Sequence, residues 1–182
     1  NDSCFRKLPG TVLDRSLNDP CFATSPFVIK QGDVWRMWYV SCERWEQNNG
    51  GYKHYYNIKH KTSSDGLHWH NDVTTSIDFK NEYEYAISRP SVVVMPNGLY
   101  RMWYSYRAQP GIDKYRIGYA ESNDGIHWER KDHLSGIDVS QNGWDSTQVC
   151  YPFVFMHSNR LYMLYCGDGY GKSGFGLAIL EE

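Results

Sequence analysis

A segment pattern that occurs three times constrains this chain more than any other feature of its sequence. Each copy has a proline followed by a short apolar run, then a turn, then a Met-Trp-Tyr or Met-Leu-Tyr segment. The prolines are Pro26, Pro90 and Pro152, and the copies recur at a step of roughly 60 residues. A chain with such a period is built from supersecondary units that bury their faces against each other.

Each unit is predicted to contain four strands, and the second copy shows them most clearly. Its apolar run (92–95) predicts an inner strand, and the Asn97-Gly98 turn leads to a second strand over 99–106. A third strand is predicted over 115–122 and a fourth near His127-Trp128. No stretch has helical apolar spacing. The sequence therefore predicts an all-β chain, a β-propeller of four-stranded antiparallel blades.

The repeat boundaries define one partial propeller domain over residues 1–182. Its approximate blade units are 20–75, 84–135 and 146–182, with 1–19 completing a preceding blade. Asp65 and Asp124 recur in Ser-x-Asp-Gly-x-x-Trp turns, where aspartate bonds its own backbone, so a structural role is expected for both. Aromatic residues make up 16% of the chain, and most are expected to pack between blades.

Composition excludes several classes of function. The formal net charge of −2 lacks the basic footprint of a nucleic-acid-binding protein, and no apolar run is long enough for a membrane span. The five cysteines form no CxxC pair and are expected to be reduced thiols, which favours a cytoplasmic location. His68 and His70 lack a third ligand nearby, so no metal is predicted. No cofactor is predicted either.

These motifs resemble those of the five-bladed propeller glycosidases, the superfamily that includes glycoside hydrolase families 32, 43 and 130, and in particular a glycosidase-like bacterial branch. The resemblance rests on the segments 14–16, 24–28, 35–41, 101–107, 115–126, 143–146 and 149–152. It implies five blades and about 300 residues at this repeat length. The chain is therefore expected to be about three blades of a longer propeller.

The resemblance also implies where a ligand binds. In these propellers the site lies on the axis, lined by the starts of the inner strands and by the loops after the second strands. The family places a catalytic acid directly before the inner-strand proline. Here those positions hold Ser25, Arg89 and Tyr151, so the acid cannot be assigned to them. They are predicted to bind substrate instead.

Two nearby carboxylates are the predicted catalytic residues. Glu84 and Asp145 precede the second and third inner strands, and either could act as general acid; the alternative is a solvated loop carboxylate or a backbone cap. Arg89 could bind a substrate carboxylate, hold phosphate or lower the pKa of an acid, and its alternative is an inter-blade salt bridge. Further candidates for substrate binding are Arg107, Glu43 and Asp168.

The function expected from these residues is glycosidase-like: binding a carbohydrate partner in the axial cleft and hydrolysing a glycosidic bond. Two alternatives stay open. One is a carbohydrate-binding propeller that has lost its pair of acids. The other is a propeller fragment of unknown function that self-associates through exposed blade edges.

Overall fold

The computed structural model describes residues 4–48 and 50–181, so the predicted unit ends at 1–3 and 182 lie outside the described residues. Over these ranges the chain forms eleven strands. They are β1 (Phe22–Gln31), β2 (Val34–Asn48), β3 (Gly51–Ser63), β4 (Thr74–Ile77), β5 (Glu84–Val94), β6 (Tyr100–Ala108), β7 (Ile112–Ser122), β8 (Glu129–Arg130), β9 (Cys150–His157), β10 (Arg160–Cys166) and β11 (Phe175–Ile179).

The strands pair in three antiparallel groups that follow the sequence repeat. The first unit is β1-β2-β3-β4, the second is β5-β6-β7-β8, and the third is β9-β10-β11. A single parallel pair between Tyr56 and Ala86 joins the first unit to the second. The prediction of an all-β fold is confirmed.

The inner strands are longer than the apolar runs that predicted them, because each begins before its proline and contains a bulge. The register shifts occur between Thr24 and Phe27 in β1 and between Ser88 and Ser91 in β5. The residues before the three prolines have a positive φ, of 50° at Ser25, 55° at Arg89 and 57° at Tyr151. A bulge tolerates the missing N–H of the following proline, so the repeated x-Pro pair fixes this backbone shape three times.

Aromatic packing holds the first unit against the second. The Trp38 side chain is fully buried, and its Nε1 donates to the Gly125 carbonyl oxygen at 3.0 Å. Trp128 donates to the same oxygen at 3.1 Å and meets the Trp38 ring edge to face. Tyr100 lies against both rings. The turn that carries Gly125 in the second unit is therefore also part of the contact with the first unit.

The turns themselves form as the sequence predicts. Asp124 Oδ1 accepts the backbone N–H groups of Ile126 and His127, each at 2.8 Å. Asp65 makes the same two bonds one repeat earlier, to Leu67 and His68. The structural role expected for both aspartates is confirmed.

Packing between the second and third units uses one face of the third sheet. Trp103 of the second unit lies in a cluster with Val154, Leu161 and Met163 of the third. The opposite face of the third sheet is exposed, and Phe175 and Leu177 there are 72% and 56% exposed. The third unit therefore has one covered face and one open apolar face.

Helical structure is limited to short turns in the described ranges. A 3-10 turn spans Asp132–Leu134, and a four-residue turn, α1, spans Asp168–Gly171. Within α1, Gly169 and Tyr170 both have left-handed backbone angles. None of the described helices is long and apolar enough to cross a membrane.

The contact around Gly125 can be tested by adding one methyl group. Gly125 has a φ of 74°, and a Cβ there would lie 2.9 Å from the Tyr100 ring. Gly98 has a φ of 87° with nothing within 4 Å of its Cβ position, so it is a matched control for backbone strain alone. We expect Gly98→Ala to lower the free energy of unfolding by about 1–2 kcal/mol.

Gly125→Ala should lower the free energy of unfolding by a further 1–3 kcal/mol or so, because the methyl group also disturbs a packed aromatic contact. Urea denaturation of both variants measures the difference. Equal losses for the two variants would show that the turn does not support the packing between units.

Candidate functional site

The bulges before Pro26, Pro90 and Pro152 occupy equivalent positions of β1, β5 and β9, and we call the surface that they form the strand-start face. Arg89 is exposed there, and its guanidinium lies 5.1 Å from the centre of the half-buried Tyr151 ring. Ser25 occupies the equivalent position of the first unit and is half-buried. Two of the three predicted strand-start residues are therefore in direct contact.

Tyrosines surround this contact. Tyr151 lies 5.7 Å from the Tyr115 ring and stacks on Tyr170 at 6.0 Å with an interplanar angle of 25°. The Tyr115 hydroxyl is 2.5 Å from the Tyr56 hydroxyl. Burial and the neighbouring Tyr115 hydroxyl raise the pKa of Tyr56, so Tyr56 stays neutral. Tyr170, by contrast, is 50% exposed and presents a ring to solvent.

Arg107 connects the tyrosines to a cavity beside them. Its guanidinium lies 5.1 Å from the Tyr115 ring and 5.4 Å from the Tyr85 ring, and it donates two hydrogen bonds to the Asp113 carbonyl oxygen. The cavity has a volume of about 270 Å³, and Tyr85, Arg107, Lys53 and His54 are among its lining residues. Arg107 was predicted to bind substrate, and the structure places it at the cavity wall.

Sequence reasoning identified Tyr151 as a site residue but missed the other tyrosines of this cluster. It assigned most aromatic residues to packing between units, which is correct for Trp38 and Trp103. Tyr56 and Tyr115 recur at the same position of the third strand in two units, and the sequence repeat shows this. The repeat does not show that both side chains point into one cluster.

The buried carboxylates before the inner strands share one structural role in two of the three units. Asp145 is 4% exposed, and its Oδ2 accepts the Tyr165 hydroxyl at 2.9 Å. Asp19 is fully buried, and its Oδ2 accepts the Tyr39 hydroxyl at 3.3 Å. Tyr39 and Tyr165 end the repeated Met-x-Tyr segments, and burial together with the hydrogen bond to Asp145 raises the pKa of Tyr165 to about 12. The repetition favours an anchoring role for Asp145.

Glu84 lies before the bulge of the second unit, one residue nearer its proline than Asp19 and Asp145 are to theirs, and it has different partners. Both of its carboxylate oxygens bind the Arg130 guanidinium, at 2.7 and 2.9 Å, and the Lys80 N–H donates to Oε2 at 2.8 Å. Arg130 also binds Asp132, which accepts the Tyr104 hydroxyl. Both Glu84 oxygens are therefore bonded within the chain, which is unfavourable for a general acid that must reach a substrate oxygen.

The remaining predicted carboxylates also have partners within the chain. Glu43 Oε1 accepts from Asn57 Nδ2 at 3.0 Å and lies 3.5 Å from Lys59 Nζ. Asp168 Oδ1 accepts the backbone N–H groups of Thr147 and Gln148, each at 2.9 Å. Burial opposes ionisation of Asp168, but these hydrogen bonds outweigh it and hold its pKa below the usual value. Asp168 therefore caps the loop that carries Asp145.

A metal is not needed to explain these contacts. Among residues 4–48 and 50–181, no group of three or more His, Cys, Asp or Glu side chains is placed to hold an ion. His68, part of the His-x-His pair in the sequence, instead bonds Asp65 through Nδ1 at 2.7 Å.

The anchoring role makes a direct prediction for the two aspartates. Asp145→Ala and Asp19→Ala should each lower the free energy of unfolding by about 1–3 kcal/mol, because each leaves a tyrosine hydroxyl without its acceptor. Asp33→Ala is the control, since Asp33 is an exposed turn residue. Urea unfolding measures all three variants, and wild-type stability of Asp145→Ala would contradict the anchoring role.

Comparisons with solved structures agree on the fold. A thermostable family-43 glycoside hydrolase aligns with a TM-score of 0.71 and 19% identity, over 94% of this chain and 57% of that one. A family 117 glycoside hydrolase of Zobellia galactanivorans aligns with a TM-score of 0.62 and 16% identity, over 88% of this chain and 52% of that one. The chain thus has the fold of the β-propeller glycosidases.

Sequence comparisons identify the family. The uncharacterized proteins Rv1502 and MT1551, from two strains of Mycobacterium tuberculosis, are each 42% identical over 174 residues, which are 96% of this chain. The chain spans about half the length of these relatives, 55% in each case. The family model for beta-1,4-mannooligosaccharide phosphorylase matches residues 69–179. This match covers more than half of the chain, which therefore belongs to glycoside hydrolase family 130.

Proposed function

We propose that this chain supplies the sugar-binding and phosphate-binding side chains of a carbohydrate-active propeller. The observation that carries the proposal is the position of Arg89. It is an exposed cation at the bulge of β5, beside Tyr151 and in the same tyrosine cluster that Arg107 contacts. The chain spans 55% of its curated relatives, and we expect the rest of such a protein to contribute to the site.

The tyrosines suit a sugar. The C–H faces of a pyranose pack on aromatic rings, and tyrosine adds a hydroxyl that can bond the sugar's own hydroxyls. Tyr170 presents such a ring to solvent, stacked on Tyr151. The cavity beside Tyr85 has polar and cationic walls, from Lys53, His54 and Arg107. Convergent aromatic and polar groups of this kind are typical of small-molecule sites.

The arginines suit phosphate. A guanidinium offers paired N–H donors that match two phosphate oxygens. Hydrolysis needs two carboxyl groups across the glycosidic bond, about 5–9.5 Å apart. In phosphorolysis the phosphate itself attacks the anomeric carbon, so the protein needs one acid and cations to hold the phosphate. A strand-start face that has Ser25, Arg89 and Tyr151 at its three key positions fits the second chemistry better.

The general acid of the proposed reaction is Asp145. Asp145 is retained over Glu84 because its one side-chain partner is a neutral hydroxyl, whereas Glu84 is bound to a guanidinium. A non-catalytic carbohydrate-binding propeller is the second candidate function. The buried contacts of Asp19, Glu84 and Asp145 favour it, because anchoring explains all three without catalysis.

Ligand binding tests the proposal. Calorimetric titration with a β-1,4-linked mannooligosaccharide, with and without inorganic phosphate, measures affinity for the wild type and for Arg89→Ala. We expect Arg89→Ala to weaken phosphate-dependent binding at least tenfold, about 1.4 kcal/mol or more. Arg101→Ala is the control for removing an arginine elsewhere, since Arg101 lies near the start of β6, at the opposite end of the unit. Equal affinities for wild type and Arg89→Ala would refute the ligand role of Arg89.

Activity separates the two candidate functions. The full-length relative, assayed for release of a sugar phosphate, should lose turnover in the variant equivalent to Asp145→Asn but keep it in the variant equivalent to Asp19→Asn. Equal effects of the two changes would assign both aspartates to anchoring and would favour the binding-only function.

We also propose self-association through the open face of the third unit. Phe153, Phe155, Leu177 and Ile179 lie on this face with Tyr162 between them, and the cross-strand register places them in adjacent rows. Exposed apolar surface of this kind on a sheet favours contact with a second sheet. In the isolated chain, the available second sheet is another copy.

Sedimentation velocity tests this interaction. The wild type should sediment as a larger species as concentration rises, and Leu177→Asp should shift it toward the monomer. Leu67→Asp is the control, because Leu67 is 51% exposed in a turn of the first unit. A concentration-independent monomer for the wild type would exclude the association.

A further inference from the structure

Two cysteines of the third unit lie directly opposite each other, at the end of its sheet that belongs to the strand-start face. Cys150 begins β9 and Cys166 ends β10, and the two are cross-strand partners in the antiparallel register. Both are free thiols. Directly opposed residues of antiparallel strands have Cα atoms about 4.5 or 5.5 Å apart, depending on the type of pair. Both spacings fall within the range of about 4.4–6.8 Å that a disulfide spans.

The cysteine pair lies beside the tyrosines of the candidate site. Cys150 is fully buried against Ala86 and Tyr115, and it immediately precedes Tyr151. Cys166 is partly exposed and precedes the loop that carries Tyr170. A methyl group at Gly171 would lie 3.4 Å from Cys166 Sγ, so that sulfur borders the 167–171 loop.

An irregularity also separates the cysteine pair from the regular pairing of β9 with β10. A register shift lies between Leu164 and Cys166, so the Cys150–Cys166 pair closes the end of the β9–β10 sheet beyond an irregularity. Gln148 Nε2 donates to Cys150 Sγ at 3.5 Å and to the Gly167 carbonyl oxygen at 3.2 Å. One side chain therefore links the pair to the start of the loop.

We propose that Cys150 and Cys166 are a redox-modification site, at which a low-molecular-weight disulfide converts the two thiols into one cross-strand disulfide that restrains the 167–171 loop. Nothing in this proposal requires the sugar-binding function. The oxidant class is a small dialkyl disulfide, for which oxidised glutathione is the probe.

The reaction proceeds by two exchanges. The partly exposed Cys166 thiolate attacks one sulfur of the probe, forms a mixed disulfide and releases one glutathione thiolate, which takes up a proton. Cys150 sulfur then attacks Cys166 sulfur, forms the cross-strand bond and releases the second glutathione. Two protein thiols are oxidised, and one external disulfide is reduced to two thiols. Burial and the nearby Cys166 thiol raise the pKa of Cys150 to about 12, so the second exchange is the slower one.

Peptide mapping of the oxidised protein tests the bond. Incubation with oxidised glutathione should give a cross-linked peptide pair containing Cys150 and Cys166, with a net loss of two hydrogen atoms. Modification of the exposed Cys4 in the same sample confirms that the probe is active. The map also separates this cross-link from one between Cys21 and Cys42. If Cys4 is modified while Cys150 and Cys166 remain thiols, or if Cys166 carries only glutathione, the proposal is wrong.

Hydrogen exchange tests the effect on the loop. The Asp168 N–H donates to the Trp144 carbonyl oxygen at 2.8 Å, so it reports opening of this loop. Its exchange should become about tenfold slower in the oxidised wild type, and the same treatment should leave the exchange of Cys166→Ser unchanged. If the exchange rate of this N–H is unchanged in a sample that contains the cross-link, the disulfide does not restrain the loop and the proposal is wrong.

Discussion

The interaction on which the rest of the structure depends is the packing of one sheet on the next. A single four-stranded sheet cannot bury both of its faces, so each unit is stable only against a neighbour. Trp38 shows how this is achieved, because its ring is fully buried between two units and its N–H is bonded to a turn carbonyl of the second. The same carbonyl receives Trp128. The turn sequence Ser-x-Asp-Gly-x-x-Trp therefore shapes a hairpin and also provides the hydrogen-bond acceptor for the preceding unit.

Comparing the repeated units also shows which buried carboxylates have a structural role. Asp19 and Asp145 each lie seven residues before an inner-strand proline, and each accepts the hydroxyl of the tyrosine that ends the second-strand motif. A side chain that makes the same bond in different units is explained by the fold. Comparison among units of one chain thus separates structural contacts from contacts that occur once. The contacts of Arg89 and Arg107 and the stacked pair Tyr151–Tyr170 are among those that occur once, and these residues lie together.

Much of the fold could be predicted from the sequence, because hairpin turns and apolar runs leave local signals. The Asn97-Gly98 turn and the two Asp-Gly turns are examples. The start of β5 could not be predicted, because its first residues, including Glu84 and Tyr85, are not a continuous apolar run, and their strand pairing depends on β6.

The candidate site was predicted in part. Arg89 and Tyr151 are marked by their position before proline, whereas Tyr170 is brought in by a left-handed turn that only the folded loop reveals. The partner of Glu84 could not be predicted from the sequence either, since Arg130 lies 46 residues away along the chain.

The bulge before each proline has a consequence for how this fold acquires different specificities. Serine, arginine and tyrosine all occupy the same left-handed backbone position, at φ values within a few degrees of each other. The backbone conformation at this position is thus determined by the surrounding strands and the proline, and it does not depend on which of these side chains is present. Each blade can therefore exchange the side chain at this position by a single substitution, without relocating the main chain. The chemistry of a ring assembled from such blades can change one position at a time while its architecture is preserved.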